Sequence, residues 1–369
     1  MKVIHLLPSL QSGGVEQVVL ELGEGLSCAG VENIVVSAGG ALVPTLEAQG
    51  SRHLERSIGK KNPATLLQIP AMENLLRRER PDILHLHSRM PAWVGFLAWK
   101  LLPRAMRPGL VTTFHGFHSV NGYSGIMARG QRVIAVSECM RKHILEHYPK
   151  TDPAAVAVIP NSVDTERNYP GYCPSAAWRG EWLREFPELQ GKYTLCLPGR
   201  ITRLKGHEDL IAVLQQLHRR GIPAHAVIVG EVKKGKEAYR DELLSHFRSA
   251  GLQDAVTWTG QRGDLRDILC ACDVTLSLSL QPESFGKTTL EALALGRPVA
   301  GYDHGGVGEQ LAAFLPEGRV APGDVDGMAS LLARWHTSPA APVSPLPSPY
   351  RRQDMIEAHL RLYAELSAR

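Results

Sequence analysis

No uncharged apolar run in this sequence reaches the roughly 18 residues that would suggest a membrane-spanning helix, so no spanning segment is expected. The first residues, Met-Lys-Val-Ile-His-Leu-Leu-Pro, read as a short strand entering a turn, without the apolar stretch of a signal peptide. Cysteine is sparse, and no C-x-x-C pair or histidine partner at metal-ligand spacing occurs. Cys28, Cys139, Cys173, Cys196, Cys270 and Cys272 therefore read as buried reduced thiols, and a cytoplasmic location is expected. The G-x-G-x-x-G dinucleotide fingerprint is missing, which argues against a dehydrogenase. Neither sign of charge dominates, with 41 basic and 37 acidic residues, and no nucleic-acid partner is expected.

The chain has 369 residues, 44% of them apolar and 21% charged, which fits a folded protein of two domains. The small basic surplus is unevenly placed: residues 1–165 hold 17 basic and 13 acidic side chains, and the remainder is balanced. Within residues 60–107 there are nine basic side chains against three acidic ones. Such a face suits an anionic partner, for instance the surface of a membrane, and serves equally as an ordinary solvated face.

Strand and helix patterns alternate twice along the chain. Val3–Leu7, Asn33–Ser37, Asp82–Leu86, Leu110–Phe114, Arg132–Val136 and Val156–Ile159 predict a first set of strands. Several are unbroken apolar runs, as in a parallel sheet covered on both faces. Helices are expected over Val15–Cys28, Ala64–Arg80 and Arg141–His147, the last opening near Ser137. The second series places strands at Thr194–Leu197, His225–Val229, Val256–Thr259, Asp273–Leu278 and Val299–Tyr302. Its helices are His207–Arg220, Glu237–Ala250, Leu265–Cys272 and Lys287–Leu295. The fold class is α/β, with two doubly wound Rossmann-like domains and an interdomain cleft. The expected boundaries are a first domain at 1–165, a linker at 166–191, a second domain at 192–337 and a Pro-rich connector at 338–350. A last helix near 351–369 is expected to join the first domain.

Four stretches at strand ends carry candidate chemistry. In Glu283-Ser-Phe-Gly-Lys-Thr-Thr-Leu-Glu291, two carboxylates lie eight positions apart across the start of a helix. The peptides around Phe285, Gly286 and Lys287 suit a phosphate, because a helix N-terminus offers free N–H groups. Carboxylates on either side could accept hydrogen bonds from hydroxyls. A ligand with a diphosphate centre and hydroxyl-rich ends is a sugar nucleotide. Arg200 and Lys205, between Gly199 and Gly206, could clamp that diphosphate. The glycine run Asp303-His-Gly-Gly-Val-Gly-Glu309 reads as a turn or as a close approach to ligand. In the first domain, Ser12-Gly13-Gly14 follows the first strand, and His115 ends a later one. Asp324-Val-Asp326 looks like a metal motif, but its position reads as a helix start.

Taken in order, these residues resemble the family-4 retaining glycosyltransferases, which have the GT-B fold. The carriers are E-x7-E with its Ser-Phe-Gly insert, Pro198-Gly-Arg200…Lys205-Gly206, Gly296-Arg-Pro-Val and the glycine pair before Glu309. Ile159-Pro-Asn161-Ser-Val-Asp164 and the amino-terminal glycine loop agree with them in order. The resemblance implies that Arg200 and Lys205 hold the donor diphosphate and that Glu283 lies by the sugar hydroxyls. It implies that Phe285, Gly286 and Lys287 present peptides to sugar and phosphate, and that Glu291 holds the ribose. His115 would touch the sugar, Gly14 would approach the diphosphate, and Glu231 and Arg262 would surround the base. No cofactor and no obligatory metal are implied. The expected reaction is retaining transfer of a hexose, glucose by first expectation, from a nucleoside-diphosphate sugar. The expected acceptor is a lipid-linked or cell-surface glycan such as lipopolysaccharide core, reached by peripheral contact with the inner membrane. The alternatives are a sugar-nucleotide epimerase and a non-catalytic sugar-nucleotide-binding protein.

Overall fold

The computed structural model describes all residues except 12, 233, 234, 236, 339, 341, 342, 344, 345, 347, 348, 368 and 369. The chain divides into two compact units, residues 1–162 with 348–369, and residues 163–347.

The first unit runs β1 (Lys2–Leu6), α1 (Gly14–Cys28), β2 (Glu32–Ser37), α2 (Val43–Ala48), β3 (Arg52–Glu55), α3 (Ile69–Glu79), β4 (Ile83–Leu86), α4 (Arg89–Leu101), β5 (Gly109–Phe114), β6 (Arg132–Ala135), α5 (Glu138–His147) and β7 (Val156–Val158). Its seven strands are all parallel, in the order β3-β2-β1-β4-β5-β6-β7. Both faces of the sheet are buried, which explains the unbroken apolar runs. Alternate residues of one strand serve opposite cores: Ile4 and Leu84 belong to one cluster, Val3 and Ile83 to the other. The last helix packs on the second of these faces.

The second unit runs α6 (Ala176–Glu185), β8 (Tyr193–Pro198), α7 (His207–Arg219), β9 (Ala224–Val229), α8 (Glu237–Ser249), β10 (Val256–Gly260), α9 (Leu265–Ala271), β11 (Val274–Ser277), α10 (Lys287–Ala294), β12 (Val299–Tyr302), α11 (Gly305–Phe314), β13 (Arg319–Val320) and α12 (Val325–Thr337). Its sheet is also parallel, in the order β10-β9-β8-β11-β12-β13. The chain then returns to the first unit as α13 (Arg352–Ser367). There Met355, Tyr363 and Leu366 join the core. Gly25 of α1 allows the close approach of α13, because a Cβ there would lie 2.2 Å from Ile356 Cδ1.

Local chemistry sets the ends of several elements. Ser137 Oγ accepts from Met140 N–H and starts α5. Arg80, with φ 46°, ends α3 just before Pro81. Asp324 Oδ1 accepts from Gly327 N–H at 2.8 Å, so Asp324-Val-Asp326 is the capped start of α12.

Four expectations need correction. Residues 166–191 are not a bare linker: Ser175 caps α6, and this segment belongs to the second unit. The helix expected over 64–80 is a 3-10 turn, Pro63–Gln68, followed by α3 with Pro70 in its first turn. The glycine run after β12 is the first turns of α11, not a turn: a Cβ on Gly306 would lie 2.5 Å from Phe285 Cα, and one on Gly308 2.8 Å from Asp303 Oδ1. Cys28 and Cys173 are exposed, although all six cysteines are free. The elements α2, β3, α4 and β13 had no sequence counterpart. Much of the Pro-rich connector, and Ser12 of the amino-terminal glycine turn, lie outside the described residues.

Candidate functional site

In a parallel sheet, every strand presents its carboxyl end at the same edge. The ligand crevice forms where successive connections leave in opposite directions. In the second unit that point lies between β8 and β11, the neighbours in the middle of the strand order. The loop after β8 carries Arg200 and Lys205, and the loop after β11 carries Glu283.

These two loops are fastened together. Leu280 N–H donates to Leu204 O at 2.8 Å. Gly206, at φ 70°, lies so close to the end of β11 that a Cβ would sit 2.0 Å from Leu278 O. The register brings Lys205 Nζ to 2.7 Å from Glu283 Oε1, with the two side chains 26% and 25% exposed. The same carboxylate oxygen accepts from the Ser279 hydroxyl, and His304 Nε2 is hydrogen-bonded to Ser279 O at 2.7 Å. Burial pushes the Glu283 carboxyl up, but Lys205, the Ser279 hydroxyl and His304 together outweigh it, and the group is held below its ordinary value. Glu283 is thus an anion at neutral pH, and a cation lies against it.

The Glu283 loop rests on α11. Gly306 N–H donates to Glu283 O at 2.8 Å, and Gln310 Nε2 donates to Phe285 O at 2.7 Å. Phe285 is buried, Gly286 stands at φ 87°, and Lys287 opens α10. Glu291 lies in α10, half-buried. Gly306→Ala would drive a methyl group into the Phe285 backbone. The expected cost is about 1–3 kcal/mol of stability, read as a lowered melting temperature; an unchanged melting temperature would show that the loop yields freely.

The remaining residues of the second unit divide into two groups. Arg200 and Glu231 are exposed at the same sheet edge, after β8 and β9, joined through Ile201 N–H donating to Glu231 O at 3.1 Å. Arg262 follows β10, but its guanidinium is already held by Asp264 at 2.9 Å and Glu185 at 3.0 Å, over the Trp182 ring. Trp178 Nε1 donates to the same Asp264 at 2.8 Å. Arg262 therefore serves in the seat of α6, and Glu185, Trp178, Trp182 and Asp264 were not foreseen as its partners.

In the first unit the corresponding switch point lies between β1 and β4. Gly14 opens α1, and among the described residues no atom beyond its chain neighbours and its own helix backbone lies within 4 Å of where a Cβ would stand. His115 follows β5, and its Nε2 is 3.0 Å from His87 Nδ1. His87 Nε2 in turn lies 2.9 Å from His5 Nδ1. Sequence reasoning took His115 alone. The signal it passed over was the alternation His85-Leu86-His87 at the end of β4.

Two Rossmann-like units of this kind in one chain define the GT-B architecture. The description Glycosyltransferase Family 4 matches residues 12–167, and Glycosyl transferases group 1 matches residues 179–356. An alpha-maltose-1-phosphate synthase of Mycobacterium tuberculosis is 30% identical over 268 residues, covering 68% of this chain and 67% of that protein. A glycosyltransferase from Rickettsia africae superposes with a TM-score of 0.83 at 24% identity, over 99% of this chain and 98% of the other. The Anabaena protein HepE, solved in complex with UDP-glucose, superposes with a TM-score of 0.77 at 20% identity, over 100% and 97%. The chain belongs to glycosyltransferase family 4, and its activity is glycosyl transfer. Among the described residues, no helix is long and apolar enough to cross a membrane.

Proposed function

We propose that this enzyme transfers a hexose, with retention of anomeric configuration, from a nucleoside-diphosphate sugar to a lipid-linked or cell-surface glycan. The observation that carries this reading is the Lys205–Glu283 pair set across the switch point of the second sheet. A cation and an anion side by side there match a ligand whose phosphate adjoins a sugar.

In the proposed step the bond between the anomeric carbon and the diphosphate oxygen breaks, and its electron pair leaves with the diphosphate. Lys205 and Arg200 neutralise the charge that grows on the departing phosphate. The acceptor hydroxyl adds on the face the phosphate leaves, and its proton passes to a phosphate oxygen. No protein nucleophile and no metal enter this step, in contrast to two-carboxylate retaining hydrolases. Glu283 accepts from sugar hydroxyls, Glu291 holds the ribose, and the peptides of Phe285, Gly286 and Lys287 face sugar and phosphate. Glu231 borders the base; Arg262 acts there only through the loop it holds. His115 is assigned to the sugar and Gly14 to the diphosphate.

UDP-glucose is the proposed donor, in keeping with the ligand named for HepE. The test is a thermal-shift screen of nucleoside diphosphates and their sugars, since a ligand of the native state raises its melting point. Product anomers read by NMR then decide retention. A chain that ignores every uridine ligand but responds to another base would displace the donor assignment.

The acceptor assignment draws on the basic stretch of the first unit. Lys60 and Lys61 precede Leu66 and Leu67, the latter 78% exposed. Peripheral binding at the cytoplasmic face of the inner membrane is proposed on that basis. Binding to liposomes should rise with the fraction of anionic lipid and fall as salt is raised. Binding indifferent to both would remove the membrane from the reading.

A further inference from the structure

The reaction as drawn so far gives no part to a cavity in the first unit. Lys61 lies in the segment that follows β3, Arg89 opens α4 after β4, and Tyr123 lies in the segment that follows β5. The strands are all parallel, so these segments leave from the same carboxyl edge, where α/β sheets bind ligands. Lys61, Asn62, Pro63, Met90 and Tyr123 line a cavity of about 300 Å³, the lower end of the range for small-molecule sites.

Both walls are fastened. Asn62 Oδ1 accepts from Ala64 N–H at 2.8 Å, and the Thr65 hydroxyl donates to Lys60 O at 2.9 Å, which fixes the chain on either side of Lys61. On the other wall, Trp93 Nε1 donates to Tyr123 O at 3.0 Å, and Ser124 N–H donates to Asn121 Oδ1 at 2.9 Å. Met90 is buried and gives the cavity an apolar lining.

The charge in this cavity has one sign. Lys61 Nζ lies 5.3 Å, and the Arg89 guanidinium carbon 5.4 Å, from the centre of the Tyr123 ring, so two cations meet at one side chain. Residues 56–72 and 83–137, which supply the whole lining, contain no aspartate or glutamate. Among the described residues no carboxylate pairs with either cation. Arg89 Nη1 donates instead to the Ser124 hydroxyl, at 3.4 Å. The neighbouring His118 registers the same field: burial first, then Arg89, His143 and Lys61, push it down to about 4, so it stays neutral. Arg89 and Met90 also stand in the first turn of α4, at the positive end of the helix dipole. Like charges gathered without a counter-ion repel each other and attract an anion.

We propose that this cavity seats a phosphate monoester carried by the acceptor sugar, held between Lys61 and Arg89. The balance of charge selects the ligand class. A phosphate monoester carries close to two negative charges at neutral pH and matches both cations, whereas a carboxylate matches one. The planar fork of arginine suits two phosphate oxygens, and the compact ammonium of lysine suits the third. The apolar lining from Pro63 and Met90 suits the C–H groups of a sugar ring. The assignment to the acceptor rests on the glycan acceptor proposed above.

The test is calorimetry on the full chain without donor, comparing the 6-phosphates of glucose, galactose and mannose with glucuronate and glucose. The best of the hexose phosphates should bind roughly tenfold or more tightly than glucuronate, the worth of one further charged contact. Glucose should bind more weakly still. Arg89→Ala and Lys61→Ala should each weaken the hexose phosphate about tenfold, and Arg89→Lys should recover part of that loss. Lys205→Ala should leave its affinity unchanged. The ring signals of His118, identified by their loss in His118→Ala, should shift when the hexose phosphate is added to the unaltered chain, a readout that stands even if Arg89→Ala fails to fold. No binding of any hexose phosphate, equal affinity for glucuronate, or a loss confined to Lys205→Ala overturns the proposal. Vesicles of phosphatidylcholine with phosphatidic acid test the other source of such a phosphate. If Arg89→Ala abolishes binding to them while no hexose phosphate binds, the cavity takes a lipid headgroup and the proposal falls. The measurement needs no donor, so a failed donor screen leaves it decisive, and absent phosphate binding leaves the donor reading intact.

Discussion

Lys205→Ala should lower kcat by roughly 10²–10³, the loss that follows removal of one preorganised charge-stabilising group. The charge on the departing diphosphate grows as the sugar bond breaks, so a cation fixed beside it favours the transition state over the ground state. Lys205 is fixed in this sense. Its Nζ bonds Glu283, and its loop is pinned through Leu204 and Gly206 to the end of β11. Lys205→Arg should recover part of the loss, because it restores charge with a planar fork in place of a compact ammonium. A kcat for Lys205→Ala within a few-fold of the unaltered chain would remove Lys205 from the site. Stability offers a second readout with a definite sign. In the unaltered chain the Glu283 carboxyl is held below its ordinary value. It therefore contributes stability above the unfolded-state pKa of about 4.3, and that contribution fades as pH falls through the lower folded value. Without Lys205 the folded-state pKa should rise, because burial is then opposed only by the Ser279 hydroxyl and His304. The variant should then be penalised at neutral pH and recover stability, relative to the unaltered chain, on acidification.

The alternation of strand and helix made the two Rossmann-like units legible, because apolar runs in doubly covered strands and amphipathic helices are written locally. The candidate site was legible only as separate pieces. Lys205 and Glu283 are 78 positions apart, and nothing local says that they touch. Their contact comes from strand order, which seats β11 beside β8. The histidine cluster was hidden in the same way: only His115 stood out in the sequence, and the parallel pairing of β1, β4 and β5 brings His5 and His87 to it. Helix α6 was masked by Pro170, Gly171 and Pro174 before it and Pro187 and Gly191 after it, which read together as one loose segment. Helix α11 was masked because Gly306 and Gly308 answer to packing, not to helix propensity. The partners of Arg262 were hidden for a different reason. Glu185 and Trp182 come from α6, so the helix that went unread in the linker is also the one that seats this side chain.

Glu283→Ala should separate sugar transfer from nucleotide binding, and in opposite directions. The Glu283 carboxylate lies 2.7 Å from the Lys205 ammonium. A diphosphate entering the site must compete for that ammonium. Removing Glu283 frees Lys205 and removes a like charge from the neighbourhood of the phosphates. The bare nucleoside diphosphate should therefore bind at least as tightly as before, by calorimetry at fixed salt. On the proposed reading transfer should fall by roughly 10²-fold or more, because the sugar hydroxyls would lose an acceptor, and misplaced reacting groups cost rate on that scale. Glu283→Gln sharpens the comparison. It keeps an acceptor oxygen of similar reach but no charge, so it should share the gain in nucleotide binding and keep more of the transfer rate than Glu283→Ala. The ordering distinguishes two roles for the same carboxylate. If Glu283 served only to hold Lys205 in place, its loss would weaken nucleotide binding and transfer together. Tighter nucleotide binding beside slower transfer is the signature of an anion directed at the sugar.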